Sequence, residues 1–190
     1  MPPFLDHFSL LSSYYDRVFP VMNAERLREL LQLPTAGRVL DLGGGTGQVA
    51  QALGGFADEV VILDESAGML REARLKGLVA VRGEAERLPF AEGAFARILV
   101  VDAFHHLRDQ EQAAAELLRV LAPGGRLVIE EGDVEQTPVR VIALLEKLLL
   151  MRSRFYSPRG VQKMFEAAGA RVLLEREGAK FWAVVEAGEE

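Results

Sequence analysis

The stretch RVLDLGGGTGQVA, residues 38–50, decides the fold of this 190-residue chain. A short apolar run is followed by a cluster of glycines and then by residues that can begin a helix. A glycine-rich turn between a strand and a helix is typical of α/β proteins that hold a nucleotide-like ligand. The turn alone leaves three ligands open: a dinucleotide, a phosphorylated nucleotide, or a nucleoside without phosphates.

The spacing of the glycines argues against a dinucleotide. The fingerprint G-x-G-x-x-G fails from Gly43, because Gln48 stands at the place of its third glycine. It also fails from Gly44, because Thr46 stands at the place of its second glycine. The phosphate-binding pattern G-x-x-x-x-G-K-[ST] has no match here either. What remains is G-x-G-x-G from position 43.

The charges around the turn argue against phosphate. Asp41 precedes the glycines, and neither Lys nor Arg occurs between Val39 and Leu70. A second predicted strand ends in Asp64 and Glu65. A carboxylate at this place can accept hydrogen bonds from both hydroxyls of a ribose. The pattern therefore favours a nucleoside whose other end is cationic or zwitterionic.

Strands and helices alternate along the chain. Strands are expected at 38–42, 59–64, 78–83, 96–102 and 126–131, and helices at 46–53, 66–76, 109–121, 139–151 and 158–169. This order predicts an α/β fold with a Rossmann-like, doubly wound, mostly parallel sheet of seven strands. The last two strands, RVLLERE and KFWAVVE, are expected to form an antiparallel edge hairpin through a three-residue turn, Gly178–Lys180.

Several helix ends carry recognisable signals. Ser66 can cap the second of these helices, and Ser157 with Pro158 can begin the last. Asp109 and Gln112 resemble a capping box. The glycines and proline of APGG, residues 122–125, are expected to end the preceding helix before a strand at 126.

Length and composition predict one domain over residues 1–190, with an N-terminal helical segment at 1–34 and a helical insertion at 132–157. The net charge of −6 makes nucleic acid an unexpected partner. The absence of cysteine excludes disulfides and thiolate metal sites. With no signal-peptide pattern and no apolar stretch long enough to span a bilayer, a cytoplasmic protein is expected.

Five segments carry a family resemblance. They are VLDLGGGTG, VVILDES, RGEAERLPF, FARILVVDAFHHL and LRVLAPGGRLVIEE, in this order within residues 38–131. They resemble the successive motifs of class I S-adenosylmethionine-dependent methyltransferases, and the most similar group is the small-molecule one that includes the ubiquinone/menaquinone C-methyltransferases. The resemblance implies S-adenosylmethionine as cofactor. It also implies an N-terminal segment that folds over the cofactor.

The resemblance assigns roles by position. Glycines 43, 45 and 47 would let the backbone approach the methionine part of the cofactor, which Asp41 would help to orient. Asp64 would hold the ribose, and Asp102 would lie near the transferable methyl group. The set of implied cofactor-binding residues is Asp41, Gly43, Gly45, Gly47, Asp64, Glu65, Met69, Glu84, Ala85 and Asp102. Glu84 departs from the family, which usually has Asp there.

Methyl transfer to a small-molecule acceptor by in-line displacement is the function so implied, and a non-catalytic nucleoside-binding sensor or partner subunit is the alternative. A base within reach of the acceptor could be His105, His106, Tyr14 or Glu131, and the sequence does not choose among them. No metal is expected, because adjacent histidines point in different directions. The apolar helix at 139–151 fits a substrate pocket, a homodimer interface or a buried core.

Overall fold

The structure, a computed structural model, describes residues 24–148 and 153–188. Within them, one sheet contains the strands β1 Arg38–Leu42, β2 Glu59–Asp64, β3 Val79–Arg82, β4 Phe95–Val101, β5 Leu121–Gly132, β6 Arg171–Glu177 and β7 Lys180–Glu186. The helices are α1 Ala24–Leu31, α2 Gln48–Leu53, α3 Ala67–Leu75, α4 Gln110–Val120, α5 Thr137–Leu148 and α6 Pro158–Ala167, with a 3-10 turn at Phe104–His106.

The strand order is β3-β2-β1-β4-β5-β7-β6. The first five strands are parallel, and β7 runs antiparallel between β5 and β6. Buried apolar side chains pack on both faces of the sheet, as a doubly wound fold requires. The predicted fold class is confirmed.

The order of the strands also creates a crevice. The chain leaves β1 toward β2 and β3, and later continues from β4 toward β5 on the other side. Loops that leave adjacent strands in opposite directions open a gap at the carboxyl ends of those strands. The turns after β1, β2, β4 and β5 therefore meet at one edge of the sheet.

The predicted caps form, but the capping box forms only by half. Ser66, Asp109 and Ser157 each accept a hydrogen bond from the backbone amide three residues later. A complete capping box would also have a hydrogen bond between the Asp109 amide and the Gln112 side chain. Here both of these groups contact Glu86 instead. The amide of Asp109 donates to Glu86 Oε1 at 3.0 Å, and the Gln112 side chain donates to the Glu86 carbonyl oxygen at 3.5 Å. Glu86 thus ties the start of α4 to the loop after β3.

The start of β5 and the turn between β6 and β7 differ from the prediction. Strand β5 begins at Leu121, because residues 122–125 form an irregularity rather than a break. Phe95 pairs with Leu121 while Arg97 pairs with Arg126, so a single residue of β4 faces four of β5. The hairpin turn has two residues, not three, because Lys180 already pairs with β6. Gly178 at φ 58° supplies the positive dihedral that such turns need.

Helix α5 turns its apolar side outward. Val139 is buried, but four apolar side chains are about half exposed, between 50% and 59%: Val141, Ile142, Leu144 and Leu145. Of the three alternatives for this helix, a fully buried core helix is therefore wrong for these residues.

Candidate functional site

The glycine turn after β1 is left-handed at three positions, Gly43, Gly45 and Gly47. A methyl group on Gly43 would lie 2.5 Å from Ala103 Cβ, and one on Gly47 would lie 2.3 Å from Leu78 Cδ1. Gly43 is thus required by the packing of the protein against itself, and a methyl group on Gly47 would displace the ends of two side chains, Leu78 and Ile62. A methyl group on Gly45 would meet no atom closer than 3.8 Å. Of the three, Gly45 is the one at which a methyl group would make only an ordinary van der Waals contact with the described residues.

Asp41 lies directly beneath this turn and is 1% exposed. A methyl group on Gly44 would lie 2.6 Å from the Asp41 carboxyl carbon. Burial raises the pKa of Asp41 to about 7, with an opposing hydrogen bond from the Ala50 amide and a smaller increase from the charge of Asp64. Within the described residues, Asp41 Oδ2 has no hydrogen-bond partner. A buried acceptor of this kind fits a cationic donor group on a ligand.

Asp64 connects the turn after β1 to the end of β2. Its Oδ2 accepts the amide of Gly45 at 3.0 Å, and its Oδ1 accepts the amide of Ser66 at 2.8 Å. A carboxylate oxygen can accept two hydrogen bonds. The two amides therefore fix the orientation of the carboxylate at the end of β2.

Two further carboxylates lie in the loops that follow β2 and β3. Glu65 follows β2 and Glu84 follows β3, and their side chains are 46% and 58% exposed. Arg108 pairs with both, at 2.7 Å and 3.4 Å. Two further residues that the resemblance implies as cofactor contacts are buried: Ala85 in the loop after β3 and Met69 in the first turn of α3.

Asp102 follows β4 with a backbone φ of 48°, which is uncommon for a residue with a side chain. Loss of contact with water raises the pKa of its carboxyl, and Lys180 opposes this increase. The Lys180 ammonium lies 3.4 Å from Asp102 Oδ2 and also pairs with buried Glu130, which accepts the indole N–H of Trp182 at 2.9 Å. Strain and a charged network thus meet where β4 and β5 end.

His105 and Glu131 form a buried pair. His105 Nδ1 lies 2.6 Å from Glu131 Oε2, and Glu131 Oε1 accepts the backbone amides of Phe104 and His105. The ring of Phe155 stacks on the imidazole at 4.2 Å. An ionised carboxylate can only accept, so Nδ1 carries the hydrogen and Nε2 is the basic nitrogen. Glu131, occupied on both oxygens, is suited to orient the imidazole rather than to take a proton itself.

His106 has a different environment. Burial, and then the charge of His105, lower its pKa to about 3, so the ring is neutral at physiological pH. Its Nδ1 lies 3.1 Å from Ser153 Oγ. Gln110, also buried, donates to the carbonyl oxygen of Arg154 at 2.8 Å. These contacts hold residues 153–155 over the histidines and favour His105 over His106 as a base.

The structure brings most of the predicted site residues to one edge of the sheet, while Tyr14 lies outside the described residues. Across residues 24–148 and 153–188, no group of three or more His, Asp or Glu side chains is arranged to hold a metal ion. No helix in the same ranges is long and apolar enough to cross a membrane.

Four functional contacts were missed from sequence. Arg108 and Lys180 are cations that reach the site from distant positions, and Gln110 fixes the segment over the histidines. Lys76 donates to the Thr46 carbonyl oxygen at 2.9 Å, so a cation does lie beside the glycine turn. Each side chain crosses tens of residues in sequence, and no local pattern marks these partners.

The chain is similar to known methyltransferases in sequence and in fold. Residues 40–129 match a family model described as "Methyltransferase domain". The demethylmenaquinone methyltransferase of Mycolicibacterium vanbaalenii is 37% identical over 66% of this chain and 54% of its own length. That of Thermus thermophilus is 43% identical over 50% of this chain and 46% of its own. The chain spans about half the length of the curated relatives it matches.

Solved structures agree with the sequence relatives. An S-adenosylmethionine-dependent methyltransferase of Thermotoga maritima has a TM-score of 0.78 at 25% identity, covering 95% of this chain and 98% of its own. A chain of the complex between the Haloferax volcanii Trm112 methyltransferase activator and a methyltransferase has a TM-score of 0.82 at 17% identity, covering 97% and 99%. The second similarity shows the fold. Together with the family model, these findings show that residues 40–129 form a methyltransferase domain.

Proposed function

We propose that this chain transfers the methyl group of S-adenosylmethionine to a small-molecule acceptor. The observation that carries the proposal is the pair of carboxylates around the glycine turn. Asp64 is oriented by two backbone amides, and Asp41 is buried with an oxygen that has no protein partner among the described residues. A ribose and an ammonium group are the ligand parts that such a pair fits.

When bound, the cofactor supplies an activated methyl group on its sulfonium. The chain supplies position and a base. Asp64 holds the ribose, Gly45 leaves room for the ligand, and Asp41 receives its cationic end. In the transfer, the acceptor would form a bond to the methyl carbon as the bond from that carbon to sulfur breaks, and S-adenosylhomocysteine would leave. His105, oriented by Glu131, would accept the proton that the acceptor loses. Phe155 stacks on the imidazole and limits the access of water to it.

The acceptor proposed for the first assay is demethylmenaquinone. The support is the name shared by relatives such as those of Mycolicibacterium vanbaalenii and Thermus thermophilus. The outward apolar side of α5 supports an apolar acceptor or a second copy of the chain as its partner. We further propose a cytoplasmic location and no nucleic-acid partner, in keeping with the net charge of −6. Single-domain organisation over residues 1–190 remains part of this proposal.

Calorimetry of S-adenosylmethionine binding tests the cofactor assignment. The wild type is expected to bind in the micromolar range, and Asp64→Ala is expected to lose most of the affinity because the ribose contact disappears. Asp58→Ala is a suitable control, since Asp58 lies at the opposite end of β2, where it accepts the Gly37 amide. Absence of binding to the wild type would overturn the proposal. Binding without formation of S-adenosylhomocysteine from any acceptor would favour the non-catalytic alternative.

A further inference from the structure

The loop after β4 reaches across the crevice through one side chain. Arg108 Nη2 lies 2.7 Å from Glu65 Oε2, and Nη1 lies 3.4 Å from Glu84 Oε1. Glu65 belongs to the loop after β2 and Glu84 to the loop after β3. The guanidinium thus connects three loops that enclose one end of the candidate site. We call Arg108, Glu65 and Glu84 the arginine clasp.

The backbone of Arg108 is held in place for this role. Its amide donates to Glu86 Oε1 at 2.8 Å, and the amide of Asp109 donates to the same oxygen at 3.0 Å. Glu86 therefore fixes the root of the side chain, while the guanidinium projects toward Glu65. An arginine anchored at its backbone and paired at its tip has a defined direction rather than a set of exposed rotamers.

The place of the clasp agrees with that of a nucleobase. If Asp64 holds a ribose, the base must extend from the end of β2, and on the side away from β1 lies β3. The amide of Gly83 donates to the Asp64 carbonyl oxygen at 3.2 Å, which brings the two loops together. Glu65 and Glu84 stand immediately beyond Asp64 and Gly83 in the sequence. Buried Ala85 provides apolar surface in the same loop.

We propose that Arg108 is a specificity-determining residue whose planar guanidinium stacks on the nucleobase of the bound nucleoside and closes that end of the site. The inference rests on the proposed function. Arginine suits this role because its guanidinium is flat, stacks on aromatic rings and can keep pairing with carboxylates at its edge. Two carboxylates for one cation also leave the clasp net negative, so it does not repel a cationic cofactor.

The energetics permit the clasp to open and close. Its three side chains are between 46% and 58% exposed, and exposed ion pairs contribute about 0–1 kcal/mol each. A ligand can therefore displace the guanidinium at little cost in free energy. The guanidinium can pair with the two carboxylates again once the base is bound. The same exposure means that replacing Arg108 should leave the fold intact.

Calorimetry with S-adenosylhomocysteine on three variants of the full chain tests the inference. Arg108→Ala is expected to weaken binding about three- to tenfold, the range of a cation–π contact. Arg108→Lys keeps the charge but not the plane, and it is expected to lose most of the same factor. Arg71→Ala is the matched control, since Arg71 is exposed and pairs only at 3.4 Å with its neighbour Glu72. It should bind like the wild type.

The outcomes separate the two proposals. If the wild type does not bind S-adenosylhomocysteine, the proposed function itself fails. If the wild type binds and Arg108→Ala binds equally well, the function stands and the role of Arg108 is refuted. Wild-type affinity in Arg108→Lys would overturn stacking as the mechanism. Thermal unfolding of each variant, expected to match the wild type, shows that any loss of binding is local.

Discussion

The Nδ1 atom of His105 lies 2.6 Å from the Oε2 atom of Glu131, in a pair that is buried on both sides. This contact fixes which nitrogen of the imidazole carries the hydrogen. It places the basic nitrogen of His105 on the side of the ring away from Glu131. We expect turnover, as distinct from cofactor binding, to depend on this pair.

Glu131→Gln should therefore reduce turnover without preventing cofactor binding. The amide of glutamine would donate to Nδ1, so the hydrogen would move to Nε2 and the base would be lost. General-base catalysis contributes about 10²- to 10⁴-fold, and a loss of kcat within this range is expected. A methyl-transfer assay measures kcat, and calorimetry measures the affinity for S-adenosylmethionine. His106→Gln serves as the control, with a smaller loss. Equal kcat in Glu131→Gln and the wild type would show that the pair is only structural.

Asp41 should make the protein less stable as the pH rises. The pKa of its carboxyl is near 3.8 in the unfolded chain and about 7 in the folded protein. The folded state therefore binds more protons between these values, and the free energy of unfolding falls as the pH rises from about 4 to about 7. The full difference is roughly 4 kcal/mol for this one group. Urea unfolding at pH 5 and pH 8 measures the part of this difference that lies above pH 5, roughly 3 kcal/mol.

Asp41→Asn should flatten that pH dependence while weakening the binding of S-adenosylmethionine. The asparagine cannot ionise, so the wild type and the variant should differ most in their pH slopes. Parallel slopes would mean that Asp41 titrates alike in both states.

Gly47→Ala should destabilise the fold more than Gly55→Ala does. Both glycines have positive φ, at 81° and 85°, so both substitutions carry the same backbone strain. Only the methyl group at Gly47 meets neighbours, Leu78 at 2.3 Å and Ile62 at 2.7 Å. The extra loss is expected to be about 1–3 kcal/mol, the usual result of overpacking. Chemical denaturation of the two variants provides the comparison, and equal losses would contradict the packing role.

Lys180→Met should destabilise the sheet by leaving Glu130 buried without its cation. Glu130 is 1% exposed and would keep the Trp182 indole as a neutral donor. A loss of about 1–3 kcal/mol is expected, since an unmatched buried acceptor carries a penalty of this size. Adding Glu130→Gln should recover part of the loss, because the charge is then removed. A double mutant no more stable than Lys180→Met would refute this coupling.

Local patterns in the sequence were enough for the architecture. Ser66, Asp109 and Ser157 act as caps where their residue types indicated, because a capping bond spans only three residues. The alternation of apolar runs predicted the parallel sheet and its final hairpin. The differences lie at boundaries: the sequence predicts that residues 122–125 separate a helix from a strand, but a bulge in β5 accommodates them.

The polar contacts of the site could not be predicted from the sequence in the same way. Arg108 and Glu65 are 43 residues apart, and Lys180 and Asp102 are 78 apart. No periodicity connects such positions, because they meet only when separate loops reach the same edge of the sheet. His105 and Glu131 were both candidates, but their partnership required the three-dimensional register of β4 and β5. The apolar character of α5 is evident from the sequence, but the outward direction of its apolar side chains is not.

The residues in and around the glycine turn serve two separate purposes, packing of the fold and contact with a ligand. Gly47 stands where a helix lies close against the sheet. This structural role would be the same in a protein of the same fold that binds no ligand. Asp64, bonded to the amide of Gly45, is the residue that we propose to contact the ligand. A motif search that weights all of these positions equally will therefore retrieve chains by architecture first and by chemistry second. An engineer wishing to abolish nucleoside binding while keeping a usable scaffold should alter the two acids and leave Gly47 untouched.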